Sequence, residues 1–128
     1  MDYSTMKLLL DTRAFLWWDS SDTRLPDALR SAIASPGNEI FVSAVTVWEI
    51  AIKRASGKLV FHASAEKAIE EQGFLPLPIQ VEHAEWAGSL PQLHRDPFDR
   101  LLVAQAQLEG LILVSVDKQI LRYQVPHL

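Results

Sequence analysis

Apolar residues fall along this chain in two kinds of run, and their alternation sets the expected architecture. Lys7 to Leu10, Ile40 to Val42 and Leu111 to Val114 are short and almost wholly apolar, as strands buried on both faces are. Between them, apolar positions recur every three or four residues. "TRAFLWW" does this with Ala14, Phe15 and Trp18, and "PDALRSAIA" with Leu29 and Ile33. "TVWEIAIKRASGKL" follows with Val47, Ile50 and Ala51, "HASAEKAIEEQGF" with Ala65, Ala68 and Ile69, and "VEHAEWAGSL" with Val81, Ala84 and Leu90. After Pro97 come Leu101, Leu102, Ala104 and Leu108. Each of these predicts an amphipathic helix, and Gly57, Gly73 and Gly110 serve as stops. "LPLPI", Leu75 to Ile79, is extended, but its prolines leave it an edge strand or a connector. The tail "QILRYQVPHL" predicts one helical turn and a last short strand. Strands alternating with helices favour a parallel α/β sandwich.

Acidic residues sit at the ends of these elements. Asp11 closes the first strand and Asp117 lies just past the last, where ligands bind in open parallel sheets. Asp96 before Pro97 reads as a helix cap, which puts Asp99 in the first turn. Thr46 with Glu49 three residues later matches a capping box, so Glu49 is either a helix-start device or a fourth acid on the same edge. Asp11 likewise could simply cap the helix after it. Taken together, Asp11, Glu49, Asp99 and Asp117 would crowd at one end of the sheet. Unneutralised carboxylates so close repel and hold a proton, a penalty that a divalent cation removes. The chain has no cysteine, so the ligands must be oxygen or imidazole, which suits Mg²⁺ or Mn²⁺. That chemistry supports attack of a metal-activated water on a phosphodiester. Lys53, Arg54 and Lys58 are the densest basic group, read either as a solvated helix face or as phosphate contacts. His83 and Glu85 are expected at the surface, since neither falls at a strand end.

Composition narrows the class. With 128 residues, 48% hydrophobic and 22% charged, one compact domain over residues 1–128 is expected. No apolar run approaches the ~20 residues that span a bilayer, and "MDYSTMKLLLD" lacks a leader pattern, so no membrane association and a soluble, cytoplasmic protein are expected. A net charge of −4 argues against binding nucleic acid through overall positive charge, though not through local basic groups and a metal. Trp17, Trp18, Trp48 and Trp86 exceed what a small core readily hides, which favours a homodimer.

"LLLDTRAFLWW", "VSAVTVWEIAIK", "HRDPFDRLLVAQA" and "LILVSVD", in this order over nearly the whole chain, resemble the PIN-domain ribonucleases, in particular the VapC-like toxins of bacterial toxin–antitoxin pairs. The resemblance implies a three-layer α/β/α sandwich with a parallel central sheet and Mg²⁺- or Mn²⁺-dependent cleavage of single-stranded RNA. It also implies a cognate antitoxin as partner, and points again to a homodimer. By position, Asp11, Glu49 and Asp99 match the family's three core acids and Asp117 its fourth, with Ser115 on the hydroxyl position of that motif. Asp96 matches one branch of the family, and Thr12 stands beside the first acid. Arg13 stands where close relatives often carry His and, with Lys53, Arg54 and Lys58, is a candidate RNA contact. The competing readings are a PIN-fold module that binds RNA or protein without cleaving, and a receiver-like domain. The second is disfavoured because no N-terminal acid pair accompanies Lys118.

Overall fold

The computed structural model describes residues 5–128; residues 1–4, part of the N-terminal stretch read for a leader, lie outside the described residues. Strands β1 (Lys7–Leu10), β2 (Glu39–Ser43), β3 (Leu75–Leu77) and β4 (Ile112–Val114) form one parallel sheet in the order β3-β2-β1-β4. Helices α1 (Thr12–Asp19) and α2 (Asp27–Ala34) connect β1 to β2. Helices α3 (Ala44–Ala55) and α4 (Ala65–Glu71) connect β2 to β3, and α5 (Val81–Ser89) and α6 (Pro97–Glu109) lead to β4. One 3-10 turn, Ile120–Arg122, follows.

The period of two along the strands divides the core into two layers. Leu8, Leu10, Val42 and Val114 turn to one face and pack with Phe15, Leu29, Ile50 and Ile69. Leu9 and Leu113 turn to the other, against Leu102, Val103 and Ala106 of α6. The sheet is therefore covered on both faces, which makes the fold the expected three-layer α/β/α sandwich. Its strand order also fixes where ligands fit. The chain builds outward from β1 through β2 to β3, then returns to add β4 on the other side of β1. The order reverses between β1 and β4, and the crevice at their carboxyl ends is the switch point of such sheets.

Several local expectations need correction. Ser43, not Thr46, caps α3: its Oγ accepts from the Val45 N–H at 2.9 Å, and the helix begins directly after β2. The Thr46–Glu49 capping box therefore does not form, and Glu49 sits in the second turn. The same shift leaves Ala51 exposed and buries Val45. On α5 the inward face carries His83 and Ala87, while Val81 is 89% exposed. His83 is thus not a surface group, because distant residues satisfy its ring. Leu108 is at the surface, and the last strand reduces to a single parallel bridge between Leu113 and His127. "LPLPI" does supply an edge strand, and α6 ends at Glu109 with Gly110 in the left-handed region at φ 67°, where glycine carries no steric penalty.

Candidate active site

Each acid reaches the switch point by a different local device. Asp11 follows β1, and its backbone N–H continues the ladder by donating to the Val114 carbonyl at 3.1 Å. Its carboxylate caps α1, accepting from the Ala14 N–H at 2.7 Å. The cap expected for Asp11 is therefore present, and it does not take the carboxylate away from the end of the strand. Thr12, next in the chain, is buried and donates its hydroxyl to Glu49 Oε1 at 2.7 Å. Lys53, one turn after Glu49 on α3, donates to the other oxygen, Oε2. Glu49 is thereby fixed across 37 residues of sequence by an α1 hydroxyl.

The start of α6 is capped as expected. Asp96 Oδ1 accepts from the Phe98 and Asp99 N–H groups at 2.8 and 3.2 Å, with Pro97 in the first turn. Asp99 Oδ2 lies 2.8 Å from His94 Nε2. The loop carrying His94 is held by the buried Arg100, whose guanidinium donates to the carbonyls of Ala87, Leu90 and Pro91 and to the Tyr123 hydroxyl. Tyr123 Oη in turn accepts from the His94 N–H at 3.1 Å. After β4, Ser115 Oγ accepts from the Asp117 N–H at 3.0 Å, and Asp117 Oδ1 accepts from the Gln119 N–H at 2.8 Å.

These devices bring Asp11, Glu49, Asp99 and Asp117 to the wall of one pocket of about 270 Å³, shared with Asp96, Thr12, Arg13, Lys53 and His94. Ser115 is buried beside it, and its hydroxyl lowers the Asp11 carboxyl against the effect of burial. Arg54 and Lys58 do not line it, and Arg54 spends a donor on the Ala63 carbonyl. Burial raises the Asp11 carboxyl to about 6, against the opposing pull of Ser115, the Ala14 N–H and the Arg13 charge. Burial also raises Asp99, to about 7; His94 opposes that rise, while Asp96, Asp11 and Glu49 add to it. A pocket that holds carboxyls protonated near neutrality is one that a dication would occupy favourably. The carboxylates, with no thiolate, make a hard oxygen donor set of the kind that binds Mg²⁺ or Mn²⁺, and His94 adds one imidazole beside them.

Sequence reasoning passed over His94, Arg100 and Tyr123. His94 stands five residues before Asp99 in "HRDPFDR", close enough to be noticed, but only the cap at Asp96 turns it back toward the carboxylate. Nothing in the order of residues pairs Arg100 with Tyr123, 23 positions away.

Comparison with known proteins agrees with this fold. The family model described as PIN domain matches residues 8–126. VapBC2 from Rickettsia felis, solved bound to a DNA fragment from its promoter, is similar at TM-score 0.64 and 14% identity, over 96% of this chain and 98% of that one. DNA-bound VapBC from Salmonella typhimurium gives 0.64 and 15%, over 96% and 97%. VapBC-1 from nontypeable Haemophilus influenzae gives 0.63 and 17%, over 96% and 97%. At these identities the likeness is one of fold. No curated protein matches the sequence.

Proposed function

Since the chain belongs to the PIN-domain family, whose model covers residues 8–126, we propose that it is a metal-dependent endoribonuclease toxin cleaving single-stranded RNA and restrained by a cognate antitoxin. The observation that carries this reading is the convergence of Asp11, Glu49, Asp99 and Asp117 on one pocket at the switch point of the sheet. Those four would hold one or two Mg²⁺ or Mn²⁺ ions. A divalent ion bound there supplies Lewis-acid charge to a phosphodiester and lowers the pKa of water.

The remaining residues shape what that charge can do. Thr12 and Lys53 fix both oxygens of Glu49, so its carboxylate meets the pocket in one orientation. Ser115 accepts from the Asp117 N–H and so fixes the turn that carries Asp117. Arg13 is exposed at the rim, with its guanidinium 5.8 Å from the Trp17 ring centroid, and together they offer a phosphate contact beside a stacking surface. Arg54 and Lys58, on and just beyond α3, would meet RNA only outside the pocket.

Antitoxin recognition is supported by a second concavity of about 860 Å³ between α3, α4 and β3. Its lining is largely apolar, with Trp48 57% exposed among its residues. The named relatives were solved as VapBC assemblies. We place the chain as one PIN domain, a cytoplasmic homodimer; no helix among the described residues is long and apolar enough to cross a membrane.

The test is cleavage of a fluorescent single-stranded RNA with Mn²⁺. Asp11→Asn and Glu49→Gln should each abolish it while leaving the circular-dichroism spectrum unchanged, and chelator should do the same to the wild type. Cleavage at the wild-type rate by either variant would remove that acid from the site.

A further inference from the structure

Resting on the metal-dependent reading above, we propose that His94 is a nitrogen ligand of the divalent ion and biases the site toward Mn²⁺ over Mg²⁺. Donor atoms of His94, Asp99 and Asp117 all lie within 4.8 Å of one another. With metal–ligand bonds of about 2.1 Å, neighbouring donors in an octahedral shell stand about 3 Å apart and opposite ones about 4.2 Å. The 2.8 Å between His94 Nε2 and Asp99 Oδ2 is close to the first of these, so one ion can bridge the pair with little movement of either side chain.

The imidazole is also presented rigidly. The backbone of His94 is tied to Tyr123 Oη, and Arg100 binds the carbonyls of Leu90 and Pro91 just before it in the chain. In the metal-free protein the hydrogen lies between Nε2 and Asp99 Oδ2; among the described residues no hydrogen bond engages Nδ1, so Nδ1 can carry the hydrogen when an ion takes the place between Nε2 and Asp99. A second group with comparable spacing, Glu82, His83 and Glu109, shows what the constraint of an engaged Nδ1 does. His83 Nδ1 accepts from the Gln80 N–H at 2.8 Å and faces Gln105 Nε2 at 3.3 Å. Its Nε2 must then carry the hydrogen and donate to Glu109, leaving no lone pair for an ion. His94 is free of that constraint. Imidazole suits first-row transition metals, whereas Mg²⁺ takes oxygen ligands, so a nitrogen in the shell raises affinity for Mn²⁺ selectively.

Pulsed electron paramagnetic resonance of the full chain loaded with one equivalent of Mn²⁺ tests this directly. The wild type should show the strong nitrogen modulation of a directly bound imidazole; His94→Gln should lose it and His62→Gln should keep it. The ratio of Mg²⁺ to Mn²⁺ dissociation constants, from thermal melts against metal concentration, should fall about tenfold or more in His94→Gln. Bound Mn²⁺ without nitrogen modulation in the wild type would overturn the assignment of His94 and leave the nuclease reading intact. Modulation surviving in His94→Gln would overturn it equally. A wild type that binds no Mn²⁺ would remove the metal reading itself. Absence of modulation in the wild type is decisive by itself, and the circular-dichroism spectrum of His94→Gln checks that the variant on which the assignment rests is folded.

Discussion

Two histidine–carboxylate pairs in this fold have the same 2.8 Å length and opposite circumstances. His83–Glu109 joins α5 to the end of α6. Its ring is fully buried and both nitrogens are engaged, and through Gln105 it connects to the Pro78 carbonyl and the Ser43 hydroxyl. His94–Asp99 sits at the start of the same helix. Its ring is partly exposed, its carboxyl is raised to about 7 chiefly by burial, and Asp96, Asp11 and Glu49 add to the rise. The difference teaches that pair geometry alone does not mark a site. A histidine with both ring nitrogens engaged holds two helices together; one with a ring nitrogen free, beside a crowd of carboxylates, still has bonding capacity to offer.

The comparison breaks most sharply on activity. Asp99→Asn should abolish RNA cleavage and Glu109→Gln should leave it near wild type, since Gln still accepts from His83; equal losses would mean the two pairs do not differ in kind. Next comes the response to metal and pH. Asp11 and Asp99 titrate higher in the folded protein than in the unfolded chain, so their stabilisation is complete below the unfolded value near 4. It is lost as pH rises through about 6 and about 7. A carboxyl held about two pH units high weakens the metal-free fold by roughly 3 kcal/mol at neutral pH. Melts in chelator should therefore fall between pH 4 and pH 7, and a hundredfold excess of Mn²⁺ over its dissociation constant should restore about 2.7 kcal/mol. Asp99→Asn, metal-free at neutral pH, should melt at or above the wild type and gain little from Mn²⁺.

Stability sharpens the other side. Replacing His83 with Ala leaves the Gln80 N–H unpaired and opens a cavity, at a cost of about 3 kcal/mol in urea unfolding. His94→Gln should cost under about 1 kcal/mol. Ser43→Ala removes the α3 cap and the hydroxyl donor to Gln105, about 1–2 kcal/mol, whereas Thr46→Ala loses only its bond to Thr12 and should cost less. The reverse order would restore Thr46 as the cap. Smallest is Asp96→Asn, a few tenths of a kcal/mol, because Asn caps nearly as well.

What could be read in advance follows the range of the forces involved. Asp11, Asp96 and Asp99 are set by local devices, a strand end followed by a cap or a Pro-started turn, and local devices are written in adjacent residues. Glu49 lines the pocket with Asp11, but the capping box that Thr46 and Glu49 match does not form: the helix starts three residues earlier because Ser43 can both end the strand and cap the helix. The surface position expected for His83 fails for the opposite cause. Its burial is stabilised by Gln105 and Glu109, 22 and 26 residues away, which no periodicity on α5 could announce. The sheet was legible because buried parallel strands have no polar positions to confuse the pattern, and its edge strand because prolines cannot sit at its centre.

The junction of β2 and α3 contains no connecting residue at all. A loop would act as slack, absorbing an inserted or deleted residue before the change reached Glu49. Here Ser43 is locked to Gln105 on one side and Glu49 to Thr12 on the other, so the intervening backbone behaves as a gear train of fixed tooth count. One residue added after Ser43 turns the Glu49 carboxylate by roughly 100° about the helix axis and advances it about 1.5 Å, away from Thr12 and the pocket. Chain length at this point is thus itself part of the pocket's geometry, and on the proposed nuclease function a single-residue insertion there should silence the protein as thoroughly as removing the acid.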